Sequence, residues 1–400
     1  MSLTVAPATL DVLAPDFRVD SQPVRDAAAQ HWYAETPLGP AILTYDDCSA
    51  LLHDRRVRQA AAGHLADQGI TEGPVAQMWA ELVLNIDGPD HTRLRRLVAP
   101  AFTPAAVERL RARMREIVEG LVDGFGSAGR CEFVAAFADH YPPRVIFELL
   151  GLSGADHAQF LAWGKELTHL LGYEVPAHHA ELVTAVEGIG AMVDELIAQR
   201  RHTPAEDLIS VLVAAADSGD RLSDAEIRAM VVVLVLGGQD STRCSLGHAL
   251  SLFAEHPNQW ALLARRPELA PAAVEEVLRV RPVCPVLWRV VDVELDHKDL
   301  HLGAGTRVWL MVGNAQLTDA DGNPDPFDIT TEHRPQLNFG HGTHFCLGAQ
   351  LARAELAEAL VVLARRLPDL ALDGEAVYRP ELAGFVGAEH LPIRFTPIAI

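Results

Sequence analysis

The residues best suited to chemistry surround one cysteine, Cys346, in the ten-residue segment 339–348, FGHGTHFCLG. Its three glycines permit positive φ angles and a close approach of the backbone to a flat ligand. The segment leads into a predicted helix, whose first N–H groups and dipole favour a thiolate over a thiol. A cysteine beside a glycine turn can also be a buried structural residue. Together with Phe339 and His344, however, the spacing favours a metal-ligating thiolate.

This segment resembles the haem-ligand signature of the cytochrome P450 family, Phe-Gly-x-Gly-x-His/Arg-x-Cys-x-Gly, at every position. The resemblance implies haem b (iron protoporphyrin IX) with Cys346 as the axial iron ligand. It also implies that Phe339 packs near the sulfur and that His344 hydrogen-bonds a haem propionate. The implied fold is mainly α with small β-sheets. It is the cytochrome P450 fold, a triangular prism with the haem between a long central helix and the Cys-ligand helix.

A second pair of charged residues, Glu276 and Arg279, is spaced to share one face of a helix. Taken alone, this spacing is typical of a surface ion pair, which stabilises by well under ~1 kcal/mol. The resemblance instead implies a buried structural pair beneath the haem. The family usually adds an arginine as a third partner, but Thr331 stands at that position here. Arg334 is the alternative third partner.

His91 and Arg95 lie four residues apart after a Gly-Pro-Asp sequence and are predicted to share a helix face. Taken alone, they are typical of a solvated basic surface. The resemblance implies that both bind haem propionates, and Arg289 resembles a further family arginine. A haem carries two carboxylates into an apolar slot, where cations must pair with them.

Residues 237–242, GGQDST, end a predicted apolar helix. Two glycines within a helix cost about 1 kcal/mol each relative to alanine, so either a groove for a small ligand or close helix packing must compensate. The stretch resembles the family's oxygen-activation motif, Ala/Gly-Gly-x-Asp/Glu-Thr. The resemblance implies that Asp240 feeds a proton relay through the hydroxyl of Ser241. Serine replaces the usual threonine, and the missing methyl group leaves the rotamer less fixed, so we expect looser coupling of oxygen consumption to product.

The resemblance also implies a distal substrate pocket lined mainly by apolar residues. Segments 57–83 and 170–179 correspond to the family's other substrate-contacting regions. We therefore expect a small, largely hydrophobic organic substrate that is hydroxylated or epoxidised. Some of the lining residues can equally be ordinary core. They are Val233, Leu236, Gly237, Pro285, Val286, Leu287 and Phe385.

Helical periodicity dominates the elements that must position these residues. Thr103-Pro104 begins one helix, and Ser223 with Glu226 forms a capping box before a helix that is apolar all round, as expected at the centre of a large protein. Strands are predicted only at 289–295 and 305–312. No shift in composition marks a boundary, so we predict one catalytic domain over residues 1–400. We expect about the first 15 residues to be loosely ordered.

Charge and cysteine content exclude several classes of protein. The net charge of 33 − 54 = −21 argues against a nucleic-acid partner. Five widely spaced cysteines without a Cys-x-x-Cys pair argue against disulfides or structural zinc and favour a reducing compartment. No secretory signal is evident, and the apolar run 229–238 is shorter than the ~20 residues that span a bilayer. We expect a cytoplasmic protein without a membrane partner.

The expected reaction requires O2 and electrons. We expect no fused electron-transfer module, so the partners are predicted to be a ferredoxin and an NAD(P)H-dependent ferredoxin reductase. Three arginines can form a docking surface for an acidic ferredoxin, or they can be ordinary solvated surface residues. They are Arg93, Arg96 and Arg353. Two other hypotheses remain: a haem-thiolate peroxygenase or oxidative coupling enzyme, and a non-enzymatic haem protein such as a gas sensor. The paired acid and hydroxyl favour the monooxygenase.

Overall fold

The computed structural model of the 400-residue chain describes residues 6–14, 16–152, 157–217, 222–318, 326–380 and 384–397. The α-helices are α1 (Gln22–Gln30), α2 (Tyr45–His53), α3 (Pro74–Glu81), α4 (Gly88–Val98), α5 (Pro104–Asp123), α6 (Tyr141–Leu150), α7 (His157–Leu167), α8 (His179–His202), α9 (Leu208–Asp217), α10 (Asp224–Glu255), α11 (Pro257–Arg265), α12 (Ala270–Val280), α13 (Val312–Ala315) and α14 (Ala349–Arg366). The strands are β1 (Tyr33–Ala34), β2 (Ala41–Ile42), β3 (Val57–Gln59), β4 (Arg130–Glu132), β5 (Leu287–Val291), β6 (Leu295–His297), β7 (Leu300–Leu302), β8 (Arg307–Leu310), β9 (Ala371–Leu372), β10 (Val377–Tyr378), β11 (Ala388–His390) and β12 (Pro392–Arg394).

Contacts divide the chain into two compact units, of which the first comprises residues 1–61 and 275–346. It contains a five-stranded sheet in the order β1-β2-β8-β5-β3 and the hairpin β6-β7. Strands β2 and β8 are parallel, whereas the other pairs in the five-stranded sheet are antiparallel. Apolar side chains of this sheet pack with those of α2, including the fully buried Ile42, Val308 and Leu310. The sheet thereby fixes β5, the strand that carries Arg289.

The second unit comprises residues 62–274 and 347–400 and is mainly helical. Its longest helix is α10, which contacts α6, α8 and α14 and is buried on nearly all sides. The predicted capping box is present, with the Ser223 side chain accepting from the Glu226 amide and the Glu226 side chain accepting from the Ser223 amide. The expected helix end at residues 237–242 is wrong, because α10 continues to Glu255. The hydrogen-bonded helix tolerates both glycines within its interior.

Other predicted elements are confirmed in place but differ in length. The Thr103 side chain accepts a hydrogen bond from the Ala106 amide and caps α5. The two predicted strands are shorter than expected, because residues 292–294 turn between β5 and β6, and Met311 already leads into α13. Within the described residues, no helix has the length and apolar character needed to cross a membrane.

The N-terminal prediction falls partly on residues 1–5 and 15, which lie outside the described residues. Within the described part, the Leu10 amide donates to the Glu35 carbonyl at 2.9 Å, and the Glu35 amide donates to the Ala8 carbonyl at 2.8 Å. Val12 is fully buried. These contacts tie residues 8–12 to the first unit. The prediction of one domain over residues 1–400 stays a prediction.

Candidate active site

The cysteine segment forms a closed loop in which two of its three glycines are required by the backbone. Gly340 and Gly342 have φ angles of 67° and 69°, a region that favours glycine. The Gly340 amide donates to the Leu337 carbonyl at 2.9 Å, and the Cys346 amide donates to the Phe339 carbonyl at 2.8 Å. These bonds fix the backbone on both sides of the loop and leave the Cys346 side chain exposed.

The remaining cysteines differ from Cys346 in their surroundings. None of the five forms a disulfide, and Cys346 is the exposed one, whereas Cys48 and Cys244 are buried and Cys131 and Cys284 are half-buried. Burial raises the pKa of Cys48 well above its ordinary value and that of Cys131 to about 12, so both stay protonated at neutral pH. Exposure therefore singles out Cys346 as the thiol available to a ligand.

Arg289 is a buried cation next to the cysteine loop. It is only 7% exposed, and its Nη1 donates to Gln59 Oε1 at 2.6 Å and to the Trp288 carbonyl at 2.8 Å. A Cβ added at Gly340 would lie 3.5 Å from its Nη2. Burial lowers its pKa to about 10, and within the described residues no carboxylate pairs with it. A buried charge without a counterion is costly, so this guanidinium fits an anionic ligand group.

Helix α4 carries His91 and Arg95, which were predicted to bind the haem propionates. His91 is 3% exposed and Arg95 is half-buried, one helical turn further on. Arg93 on the same helix forms an ion pair with Glu226 and a longer one, 3.4 Å, with Asp90. Its charge is therefore offset within the protein, which weakens the expectation that Arg93 docks an acidic partner. His344, the remaining predicted propionate contact, is half-buried in the short turn Gly342–His344.

Glu276 and Arg279 form a buried bidentate pair rather than a surface one. Their side chains are 1% and 4% exposed, and Nε and Nη2 of Arg279 donate to the two carboxylate oxygens at 2.7 and 2.8 Å. The Arg279 Nη1 also donates to the Gln316 carbonyl at 2.9 Å, and the Asp328 amide donates to Glu276 Oε1 at 2.8 Å. The pair thus connects α12 to the chain that precedes the cysteine loop.

Arg334, the alternative third partner, forms no ion pair with Glu276 within the described residues. Nε2 of His333 lies 3.0 Å from Glu276 Oε2. Arg334 instead pairs with Asp46 at 3.3 Å and lies over the ring of Tyr45 at 4.7 Å. The family pattern gave no signal for a histidine at this position, so its role was missed.

Asp240 is held by two arginines that the sequence analysis did not identify. The carboxyl group is 2% exposed, with Oδ1 2.8 Å from Arg243 Nε and Oδ2 2.6 Å from Arg379 Nη1. Arg243 could have been found from its i,i+3 spacing, but Arg379 lies 139 residues away and gave no local signal. Arg379 also lies 3.4 Å from the exposed Glu389, so the network extends towards solvent.

Ser241 and the two glycines have separate roles on α10. The Ser241 hydroxyl donates to the Gly237 carbonyl at 2.6 Å. A Cβ at Gly238 would lie 2.7 Å from Ile146 Cδ1, so α10 packs closely against α6 at this glycine. At Gly237 an added Cβ would meet no described atom within 4 Å. The sequence left two alternatives for these glycines, a groove or close helix packing. Gly237 has the open space of a groove, whereas Gly238 is closely packed.

Comparison with known proteins identifies the family of this site. The family model for cytochrome P450 matches residues 258–367. The chain is 36% identical over 395 residues to luteothin monooxygenase of Streptomyces thioluteus, covering 96% of this chain and 95% of that protein. It is 35% identical to the cytochrome P450 monooxygenase PikC of Streptomyces venezuelae, covering 98% and 95%. The chain belongs to the cytochrome P450 family.

The fold of this cytochrome P450 agrees with that assignment. Cytochrome P450 CYP109Q5 from Chondromyces apiculatus has a TM-score of 0.87 at 29% sequence identity, covering 99% of this chain and 100% of that one. The predicted mainly α fold with small sheets is confirmed, and so is the prediction of a monooxygenase that uses iron protoporphyrin IX. The exposed thiol of Cys346 and the buried guanidinium of Arg289 fit this cofactor, since one offers an iron ligand and the other a partner for a propionate.

The predicted pocket residues of the P450 lie on three segments. Leu236 and Pro285 are buried, Gly237 is exposed, and Val233, Val286, Leu287 and Phe385 are half-buried. Pro285 packs closely against Gly313, because a Cβ added at Gly313 would lie 2.8 Å from the Cβ of Pro285. Half-buried apolar side chains are available to contact a ligand, but the role of these residues in lining a substrate pocket stays a prediction.

Proposed function

We propose that this P450 hydroxylates or epoxidises a small, largely hydrophobic organic molecule. The observation that carries the proposal lies on α10, where a buried acid, Asp240, directly precedes Ser241, whose hydroxyl bonds the Gly237 carbonyl beside the open face of Gly237. A relative supports it: mycinamicin IV hydroxylase/epoxidase of Micromonospora griseorubida is 38% identical over 337 residues, covering 83% of this chain and 82% of that protein.

The bound haem would supply an iron that binds dioxygen and accepts electrons. Cys346 would ligate that iron, in a loop fixed by the hydrogen bond from its amide to the Phe339 carbonyl. The side chains that would contact the propionates are those of His91, Arg95, Arg289 and His344. Arg289 carries the strongest argument, because its buried charge lacks a carboxylate partner within the described residues.

Ser241 would relay protons towards the open face of Gly237. Its hydroxyl hydrogen is donated to the Gly237 carbonyl, so its oxygen lone pairs are available to accept a hydrogen bond from a ligand. No hydrogen bond joins Asp240 to Ser241 within the described residues, and both carboxylate oxygens of Asp240 bind arginines. We therefore propose that Asp240 delivers protons through a water or after releasing Arg379, whose contact with Glu389 connects it to solvent.

Substrate class is proposed from the apolar character of the predicted pocket residues. Val233, Val286 and Leu287 offer half-buried apolar surface and no charged group. Burying a charged substrate group against such residues is costly without a partner. We therefore propose that a panel of neutral, hydrophobic compounds will contain ligands that shift the Soret band on binding. Tight binding confined to highly charged compounds would contradict the proposed substrate class.

Replacing Ser241 with threonine is expected to lower the hydrogen peroxide released per NAD(P)H consumed. The added methyl group fixes the χ1 rotamer and so holds the hydroxyl in place during proton transfer. Peroxide and product are measured together in a reconstituted turnover assay. Thr242→Ser is the matched control, because it removes a methyl group at the adjacent, buried position and should leave the ratio unchanged. An unchanged ratio in Ser241→Thr would reject the role of the missing methyl.

We propose a separate ferredoxin and an NAD(P)H-dependent reductase as the electron source, with Arg96 in the docking surface. Arg96 is exposed on α4. Arg96→Glu should raise the ferredoxin concentration for half-maximal turnover about three- to tenfold at low salt, and less at high ionic strength. Arg109→Glu makes the same charge change at an exposed position on α5 and should have little effect. Equal effects of both variants would reject a localised docking site.

The reaction class is tested by isotope labelling. With 18-oxygen gas, NAD(P)H and the reconstituted partners, we expect one labelled atom per product molecule. Label that enters only from added peroxide would instead establish a peroxygenase, and a coupled product without new oxygen would establish oxidative coupling. Either outcome would overturn the proposal while leaving the family assignment intact.

A further inference from the structure

Three potential metal ligands lie together in the second unit. Glu166, His169 and His178 each offer one ligand atom, and these atoms all lie within 4.8 Å of one another. Two imidazoles and one carboxylate form a ligand set that Zn²⁺ uses, with bonds of about 2.0–2.2 Å. In a tetrahedral site such bonds separate ligand atoms by about 3.3 Å, so small side-chain rotations suffice to close the cluster.

The backbone already holds the three ligands in position. Glu166 and His169 are three residues apart where α7 passes into the turn Thr168–Leu171, so they share one face. His178 ends the turn Val175–His178, directly before α8. Between these turns, Gln68 Nε2 donates to the Gly172 carbonyl at 3.0 Å and its Oε1 accepts from the Val175 amide at 3.3 Å. The segment that joins the ligands is therefore anchored.

The side chains themselves have unusual surroundings. The rings of His169 and His178 stack with centroids 3.5 Å apart and planes within 10°, although aromatic rings prefer offset or edge-to-face arrangements. No side-chain hydrogen bond or ion pair engages any of the three groups in the described parts of the chain. Besides Glu166 and His178, two further charged groups act on His169: the guanidinium of Arg379 and the carboxylate of Glu174. The Arg379 charge is the one that opposes a bound cation. This charge is offset by the contacts of Arg379 with Asp240 and Glu389.

We propose that Glu166, His169 and His178 bind one Zn²⁺ ion, with the fourth position open to water. Three half-buried ligands on anchored turns, with no side-chain hydrogen bond or ion pair among the residues that the structure describes, match a zinc site with an open coordination position. The bound ion would cross-link the end of α7 to the turn before α8. This proposal does not depend on the haem chemistry.

The test uses the tag-free, haem-loaded protein and Zn²⁺ alone. In competition with a chromogenic chelator, we expect one equivalent of Zn²⁺ bound in the micromolar range or tighter. Loss of second-shell contacts alone typically weakens metal binding 10–100-fold, so His178→Gln and Glu166→Gln should each weaken it at least about tenfold. His179→Gln, which alters the neighbouring histidine on α8, is the matched control and should retain the affinity.

A second measurement separates binding at this cluster from binding elsewhere. Zn²⁺ should slow amide hydrogen exchange in residues 168–178 of the native protein and not of the His178→Gln variant. Mg²⁺ and Ca²⁺, which prefer oxygen ligands, should neither compete nor slow exchange. Equal Zn²⁺ affinity in all four proteins, or exchange in residues 168–178 that Zn²⁺ does not slow, would overturn the site.

Discussion

Replacing Asp240 with asparagine is expected to lower the rate of product formation by about 10²-fold, in the range of a lost proton donor. The variant keeps the size of the side chain but cannot supply a proton. It also leaves Arg243 and Arg379 without the carboxylate that each now contacts within 2.8 Å. We therefore expect a fall in kcat together with a larger solvent deuterium isotope effect.

The isotope effect distinguishes proton delivery from a structural role. Haem content and the substrate-induced spectral shift report the integrity of the variant. Asp139→Asn removes a 38%-exposed carboxylate that lies 3.6 Å from one of the two arginines, Arg243, and serves as the control. It should change kcat by much less, since surface ion pairs contribute little. If Asp240→Asn turns over at the native rate with an unchanged isotope effect, Asp240 does not deliver the proton.

Replacing Glu276 with glutamine is expected to lower the free energy of unfolding by about 3–5 kcal/mol, because one partner of a buried ion pair is removed. The Arg279 guanidinium, 4% exposed, would keep its charge without a carboxylate. The Asp328 amide and the His333 ring would also lose their anionic partner. Urea unfolding and the rate of haem loss provide the two measurements.

Glu275→Gln is the matched control for this prediction. Glu275 is adjacent on α12 but half-buried, and a surface substitution of this kind usually changes stability by less than about 0.5 kcal/mol. A loss of the same size in both variants would assign the effect to the helix rather than to the buried pair. Native stability of Glu276→Gln would contradict the structural role of the pair.

The parts of the site that could be predicted from sequence are those whose residues are close together in the chain. The glycines around Cys346 fix a loop of ten residues, and Glu276 and Arg279 lie within one helical turn. Helical spacing also placed His91 and Arg95 on one helix. In each case the local backbone geometry determines how the side chains are arranged, so their spacing in the sequence predicts that arrangement.

The contacts that could not be predicted join residues far apart in the chain. Asp240 meets Arg379 across 139 residues, and Glu276 meets His333 instead of the expected arginine. The packing of the whole fold determines which distant cationic side chain contacts a buried carboxylate. A local sequence pattern does not contain that information. The end of α10 was predicted too early for a related reason. Gly238 lies inside the helix because α10 packs closely against Ile146 of α6, a contact between residues far apart in the chain.

The carbon monoxide difference spectrum of the reduced protein, recorded for the native chain and for Cys346→His, tests most directly whether Cys346 ligates the iron. A thiolate ligand pushes electron density onto the iron, so the native protein should show the strongly red-shifted Soret band typical of thiolate-bound haem. The variant should show the band of histidine-bound haem, whereas Cys284→Ser should keep the native band. An identical red-shifted band in the native protein and in Cys346→His would contradict ligation of the iron by Cys346.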